Sequence, residues 1–280
     1  MLSYRHAFHA GNFADVLKHL ILVECLNYLK QKDKPFVYYD THSGPGLYQL
    51  DSEFAQKNRE YENGITQLWD DPALPELVQT YRELVEAINT GDTLQQYPGS
   101  PVIAEQLLRE QDRLLLCELH GTEAEALDNY FKFDTRAQVW QTDGLERAEK
   151  LLPPKERRGI VLIDPSYELK EDYQRVVHFL KTAHRKFAQG IYLLWYPVVE
   201  RRRIEQIERE LQESGIRNIQ LFELGIEADT AARGMTSSGI IAINAPWTLK
   251  SKMQPALEFL APKLESTDAG YFRCEQLVDE

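Results

Sequence analysis

Cysteine is scarce in this 280-residue sequence: there are three, at Cys25, Cys117 and Cys274, and none belongs to a Cys-x-x-Cys pair. That spacing excludes a disulfide framework and a cysteine-based zinc site, and leaves Cys25 and Cys117, which lie inside apolar stretches, as buried thiols. No run approaches the ~18 apolar residues of a membrane-spanning helix, and residues 1–6 lack the apolar centre of a signal peptide, so a cytoplasmic protein is expected. Positive charge is short as well, with 32 Lys and Arg against 44 Asp and Glu and a net charge of −12. Such a balance argues against non-specific nucleic-acid binding, whose affinity comes mostly from neutralising phosphates. Also missing are a full Gly-x-Gly-x-x-Gly dinucleotide pattern and the lysine of a Walker loop, so a cofactor without phosphates fits better than one that carries them.

What the sequence does have is 43% hydrophobic residues, enough for one large α/β domain with a small insertion. Apolar runs at 36–40, 113–118, 137–141, 159–163, 190–195, 218–224 and 239–244 read as strands. Helical periodicity covers 13–30, a stretch from about 101, then 122–131, 170–187, 200–214 and 252–264, with Asn12 placed to cap the first helix. Strands alternating with helices predict a mostly parallel, doubly wound sheet. Residues 51–96 are polar, of helical period and without an evident strand, which reads as a helical insertion subdomain. Residues 232–239 read as a mobile loop, and the clusters Lys181, Arg185, Lys186 and Arg201, Arg202, Arg203 read as solvated helix faces.

Chemistry gathers at the strand ends. Asp40, Glu118, Asp143 and Asp164 each end or closely follow a strand, and a doubly wound sheet brings such residues to one edge. Spread singly, with no His-x-His or Asp-x-Asp spacing, they suit cofactor binding better than a metal ion. A carboxylate at Glu118 can accept from both hydroxyls of a ribose, and Asp143-Gly144 can meet an adenine edge. Asp164-Pro165-Ser166-Tyr167 then offers a carboxylate, a backbone carbonyl and an aromatic ring to a flat base bearing an amino group, an arrangement suited to methylation of adenine N6. Ser100 has a second reading, as the cap of the helix that begins near Pro101.

The tetrapeptide resembles the Asp-Pro-Pro-Tyr signature of S-adenosylmethionine-dependent amino-methyltransferases, with serine in place of the second proline. Over nearly the whole chain the sequence resembles the bacterial 23S ribosomal RNA adenine-N6 methyltransferase J family. The resemblance is carried by Tyr4-Arg5-His6, His9-Ala10-Gly11-Asn12, Asp15-Val16-Leu17-Lys18-His19, Asp40-Thr41-His42-Ser43-Gly44, Tyr97-Pro98-Gly99-Ser100-Pro101, Glu118-Leu119-His120, Asp143-Gly144, Asp164-Pro165, Leu194-Trp195-Tyr196-Pro197-Val198-Val199 and Arg233-Gly234-Met235-Thr236. It implies a Rossmann-like class I methyltransferase fold, S-adenosyl-L-methionine as cofactor and 23S ribosomal RNA as partner. It further implies His19, His42, Ser100, Glu118, Asp143, Gly144 and Asp164 as cofactor contacts, and Asp164, Pro165 and Tyr167 as the catalytic set. Tyr4, His6 and Lys18 are expected to meet the substrate. Three other readings stay open: a DNA adenine-N6 methyltransferase, disfavoured because little chain remains for a target-recognition domain; a protein for the use of external DNA; and a non-catalytic nucleic-acid binding module.

Overall fold

The computed structural model describes residues 6–229 and 234–280. Ten strands run in chain order as β1 (Val37–Asp40), β2 (Leu47–Gln49), β3 (Gln96–Pro98), β4 (Arg113–Glu118), β5 (Ala137–Gln141), β6 (Gly159–Ile163), β7 (Ile191–Val198), β8 (Ile219–Gly225), β9 (Ser237–Ile243) and β10 (Tyr271–Val278). Eight of them form one sheet in the order β10-β8-β9-β7-β6-β1-β4-β5, while β2 and β3 pair as a separate antiparallel ribbon. Pairing is parallel from β5 through β4, β1 and β6 to β7, and antiparallel where β9 enters between β7 and β8 and where β10 closes the edge. This is the mostly parallel, Rossmann-like sheet that the sequence predicts.

Helices cover both faces. Phe13–Lys30, Glu76–Glu86, Ser100–Leu107 and Leu249–Leu264 pack one core against the sheet, and Gly144–Leu151, Asp172–Lys186 and Arg201–Gln212 pack the other. The central strands between these layers are buried, as β6 and β9 illustrate, which is why they read as continuous apolar runs rather than alternating ones. Helix Phe13–Lys30 is buried almost all round, because the sheet lies on one side of it and helices Glu76–Glu86, Ser100–Leu107 and Leu249–Leu264 pack against it. Asn12 caps it, accepting from the Ala14 and Asp15 amides at 3.0 Å each.

Residues 51–96, expected as a helical insertion, hold four short helices; the β2–β3 ribbon brackets the segment, and Tyr81, Val78 and Val85 of helix Glu76–Glu86 share a core with helix Phe13–Lys30. Two expectations are corrected. Of the expected loop 232–239, Thr236 is buried and Ser237–Gly239 belong to β9; Gly239 is there because a Cβ would lie 2.2 Å from the Tyr196 ring. Residues 232 and 233 lie outside the described residues. Lastly, Arg202 is exposed as expected but Arg201 and Arg203 are not part of a solvated face: Arg201 donates to the fully buried Glu223 at 2.8 and 2.9 Å, and the Arg203 guanidinium lies 5.2 Å from the Tyr173 ring centre.

Candidate functional site

The chain leaves β1 toward β4 on one side and later takes up β6 on the other, so a crevice opens beyond the carboxyl end of β1. Asp40, Glu118, Asp143 and Asp164 follow β1, β4, β5 and β6 to that edge. One cavity there is lined by His19, His42, Gly44, Ser100, Glu118, Asp143, Gly144, Asp164 and Pro165, among others. A second is lined by Tyr167, Lys170, Tyr173, Trp195, Pro197, Arg203 and Met235, among others. His6, Asp15, Lys18 and Ser166 line both. The shared wall therefore stands beside Asp164-Pro165 on one side and Tyr167 on the other.

That wall is a chain of paired charges. Lys18 Nζ donates to Asp15 at 2.7 Å and to Asp164 Oδ2 at 2.6 Å, with its side chain only 5% exposed. Asp15 in turn holds His6 Nε2 at 2.9 Å and accepts from the Gly11 amide at 2.9 Å. Burial works against every charge here, yet the mutual attraction wins: Lys18 and His6 are raised above their ordinary values and Asp15 is held well below the usual carboxylate range. Lys18 is thus a fixed ammonium whose hydrogens serve the protein's own carboxylates.

Asp40 sits at the floor, fully buried. Tyr38 and Ser100 donate their hydroxyls to its Oδ2 at 2.6 and 2.7 Å, and the His42 amide donates to Oδ1 at 3.2 Å. Burial, opposed by these hydrogen bonds, pushes Asp40 up to about 6. Ser100 opens helix Ser100–Leu107 with Gly99 in the capping position, so the capping reading gives way to the bond with Asp40. Glu118 accepts from the Gly44 amide at 2.8 Å and from the His120 amide at 2.7 Å, one bond to each oxygen, which aims the carboxylate across the cavity. Asp143 caps helix Gly144–Leu151 through the Glu146 amide and also takes Arg175 at 2.7 Å; that arginine, with the cap, holds it below its ordinary value against the cost of burial.

Tyr167 stands in the left-handed region at φ +52, its hydroxyl donating to the Trp195 carbonyl at 2.7 Å. Its ring centre lies 4.6 Å from Tyr173 and 5.9 Å from Trp195. The structure thus brings together every expected site residue except Tyr4, which lies outside the described residues. It adds four that sequence reasoning did not assign to the site: Tyr97, Arg175, Tyr173 and Arg203. Tyr97 stood beside Ser100 in a quoted motif; the other three lie on helices whose periodicity gave no sign of the site.

The first cavity fits a nucleoside-bearing amino-acid cofactor. His19 is 1% exposed, and its Nε2 finds no partner among the described residues, the mark of a donor or acceptor waiting for a ligand atom. Gly144 allows the chain to close on the neighbouring loop, since a Cβ there would lie 1.9 Å from the Thr41 carbonyl oxygen.

Comparison with known proteins agrees. Residues 33–278 match the family model described as ribosomal RNA large subunit methyltransferase D, RlmJ. Over 280 residues, and all of both chains, the sequence is 47% identical to the ribosomal RNA large subunit methyltransferase J of Escherichia coli strain K12. The protein of that name from Haemophilus influenzae is 46% identical over 281 residues, again covering all of both. A crystal structure of a Legionella pneumophila protein superposes with a TM-score of 0.88 at 41% identity, covering 96% of this chain and 98% of that one. A matched family model over most of the length, two full-length relatives near one-half identity and the two-cavity crevice lead to one statement: the chain belongs to the ribosomal RNA large subunit methyltransferase J family.

Proposed function

We propose that this protein is an S-adenosyl-L-methionine-dependent methyltransferase that methylates N6 of one adenine in 23S ribosomal RNA. The observation that carries the reading is the position of Asp164-Pro165-Ser166-Tyr167 at the wall between two cavities, because a methyl donor and its acceptor must approach from opposite sides of one reacting centre. The first cavity is assigned to the cofactor, with His19, His42 and Ser100 toward its amino-acid end, Glu118 toward the ribose, and Asp143 and Gly144 toward the adenine. Bound there, the cofactor supplies a methyl group on a sulfonium.

The second cavity is assigned to the target base. Tyr167 offers its ring for stacking, and the Pro165 carbonyl and Asp164 accept from the N6 hydrogens. Since Lys18 occupies Asp164 Oδ2, the N6 contact falls on Oδ1. Two such acceptors favour a pyramidal nitrogen and turn its lone pair toward the methyl carbon. As the new N–C bond forms, the C–S bond breaks and its electrons stay on sulfur; N6 becomes strongly acidic and loses a proton to Asp164 or to water. Lys18, kept as an ammonium, holds the carboxylate in place throughout. His6 supports that wall through Asp15, and Tyr4 is assigned to the base on the strength of the family resemblance. Because N6 is engaged in pairing within a duplex, the target adenine must be flipped or single-stranded.

We also infer a single methyltransferase domain over residues 1–280 with 51–96 as an insertion, acting in the cytoplasm without an obligate protein partner. In support, no helix among the described residues is long and apolar enough to cross a membrane. The test is methyl transfer from labelled S-adenosylmethionine to protein-free 23S ribosomal RNA and to unmethylated DNA in parallel, followed by nucleoside chromatography. N6-methyladenosine from the RNA alone is expected. Labelled N6-methyldeoxyadenosine from the DNA would favour a DNA enzyme, and no transfer to either would favour a binding module.

A further inference from the structure

His19 and His42 face one cavity with one ring nitrogen each already committed. His19 Nδ1 is 2.8 Å from the Tyr97 hydroxyl, and that hydroxyl is 2.8 Å from the hydroxyl of Tyr81; all three side chains are buried. Counting hydrogens fixes the direction of this chain. Tyr81 has no other hydrogen-bond partner among the described residues, so if Tyr97 donated to it, the Tyr81 proton would be stranded in the core, at the cost of an unmade hydrogen bond. Every proton is placed only if Tyr81 donates to Tyr97 and Tyr97 donates to His19 Nδ1. His19 then carries its proton on Nε2, the atom that has no partner.

His42 is assigned the opposite form. The single Thr41 hydroxyl proton has two takers, the Leu162 carbonyl at 3.0 Å, which also accepts the Thr41 amide at 3.1 Å, and His42 Nδ1 at 2.8 Å. With that proton on the carbonyl, the Thr41–His42 contact is donated by the imidazole and His42 Nε2 is a bare acceptor. Ser100 adds a second acceptor, because its proton is spent on Asp40.

We propose that Tyr97 and Thr41 are positioning residues that lock His19 and His42 in opposite tautomers, so that the cavity offers one N–H donor and one bare nitrogen to a ligand end carrying a carboxylate and an ammonium. The carboxylate takes the His19 N–H, and the ammonium takes His42 and the Ser100 oxygen. Tyr81 and Tyr97 come from helix Glu76–Glu86 and β3, so this assignment also gives the segment between β1 and β4 a part in recognising the cofactor's amino-acid end. Burial holds His19 down to about 3 and also lowers His42, which keeps both rings neutral in neutral solution and the two polarities fixed.

The inference rests on the cofactor reading for its ligand but not for its tautomers, and two measurements separate them. Nitrogen-15 histidine spectra of the ligand-free protein, assigned with His19→Gln and His42→Gln variants, are expected to show His19 protonated at Nε2 and His42 at Nδ1, with His19 not titrating between pH 5 and 8 and His42 titrating only below its ordinary value. One tautomer shared by both rings, or titration of either near 6.5, would overturn the proposal. Calorimetry then compares S-adenosylhomocysteine with 5′-methylthioadenosine, which lacks the amino-acid end. Tyr97→Phe is expected to weaken the first about tenfold and leave the second unchanged, the loss of one well-aimed hydrogen bond. Equal loss for both, or none for either, would overturn the positioning role. Failure of the unaltered protein to bind S-adenosylhomocysteine at all would instead remove the cofactor reading and, with it, the assigned ligand end.

Discussion

Lys18 binds two carboxylates at once, Asp15 at 2.7 Å and Asp164 at 2.6 Å, and so ties helix Phe13–Lys30 to the tetrapeptide Asp164-Pro165-Ser166-Tyr167, whose first residue lies 146 positions further on. In the proposed reaction only one Asp164 oxygen is left for the target amine. Removing that oxygen removes an acceptor used as the nitrogen changes shape, so Asp164→Ala is expected to lower the single-turnover methyl-transfer rate by about 10²- to 10³-fold or more. Cofactor affinity measured by calorimetry should shift by only a few-fold. Normal turnover by the variant would take Asp164 out of the reaction.

The His6–Asp15 pair predicts a pH-dependent contribution to stability. Burial disfavours both charges, but each partner outweighs it, raising His6 and lowering Asp15. The raised His6 value means its share is fully present below about 6.5 and is lost as pH climbs through the folded value; the lowered Asp15 value means its share is present above the ordinary carboxylate range and is lost as pH falls through the folded value. The pair is therefore fully formed only between those limits. His6→Gln should cost about 1 kcal/mol near pH 6 and clearly less near pH 9, as read from urea unfolding. A cost that stays constant between those two pH values would show that His6 contributes through packing alone.

Gly144 is expected to resist even the smallest substitution. A Cβ at this position would lie 1.9 Å from the Thr41 carbonyl oxygen, an atom of the main chain with no room to swing away. Gly144→Ala should cost about 1–3 kcal/mol in thermal or denaturant unfolding, as overpacking does in cores, and should weaken S-adenosylhomocysteine binding because Thr41 and His42 line the same cavity. Wild-type stability and affinity together would mean that the two loops part without penalty.

The parts of this architecture legible in the sequence are those whose signal is local. Strands β4, β5 and β6 begin and end where their apolar runs do, and the four acids at the sheet edge could be named because a parallel sheet carries every strand end to one side. Strand β10 escaped notice because it is an edge strand whose Arg273 and Glu275 pair with each other and, through Arg273, with Glu208, which breaks the apolar run. Helix Gly144–Leu151 is too short to show a period, and the β2–β3 ribbon has three residues in each strand. Within the site, the expected residues were found one at a time, but their coupling was not. Nothing near Lys18 in the sequence announces Asp164, and nothing near Tyr81 announces His19.

Arg201 and Arg203 stand two apart on one helix and are expected to fail in different ways. Arg201 reaches inward to Glu223, which is fully buried, and outward to Asp229 at 2.6 Å. Cutting it back leaves the buried carboxylate to the Tyr196 and Tyr271 hydroxyls and to Arg273 at 3.8 Å, so Arg201→Ala should lower stability by about 2 kcal/mol. Arg203 instead lies over Tyr173 at the second cavity, paired with the exposed Glu200 in a surface ion pair of little worth. If that cavity receives the target nucleotide, the guanidinium is placed for a neighbouring phosphate. Arg203→Ala should then leave stability, cofactor affinity and the rate at saturating RNA nearly unchanged. It should raise the KM for RNA by roughly three- to tenfold and flatten the salt dependence of RNA binding by about one unit of slope. A loss of cofactor affinity in place of RNA affinity would move the RNA path away from this rim, whereas equal stability loss in both variants would mean that the two arginines share one structural task.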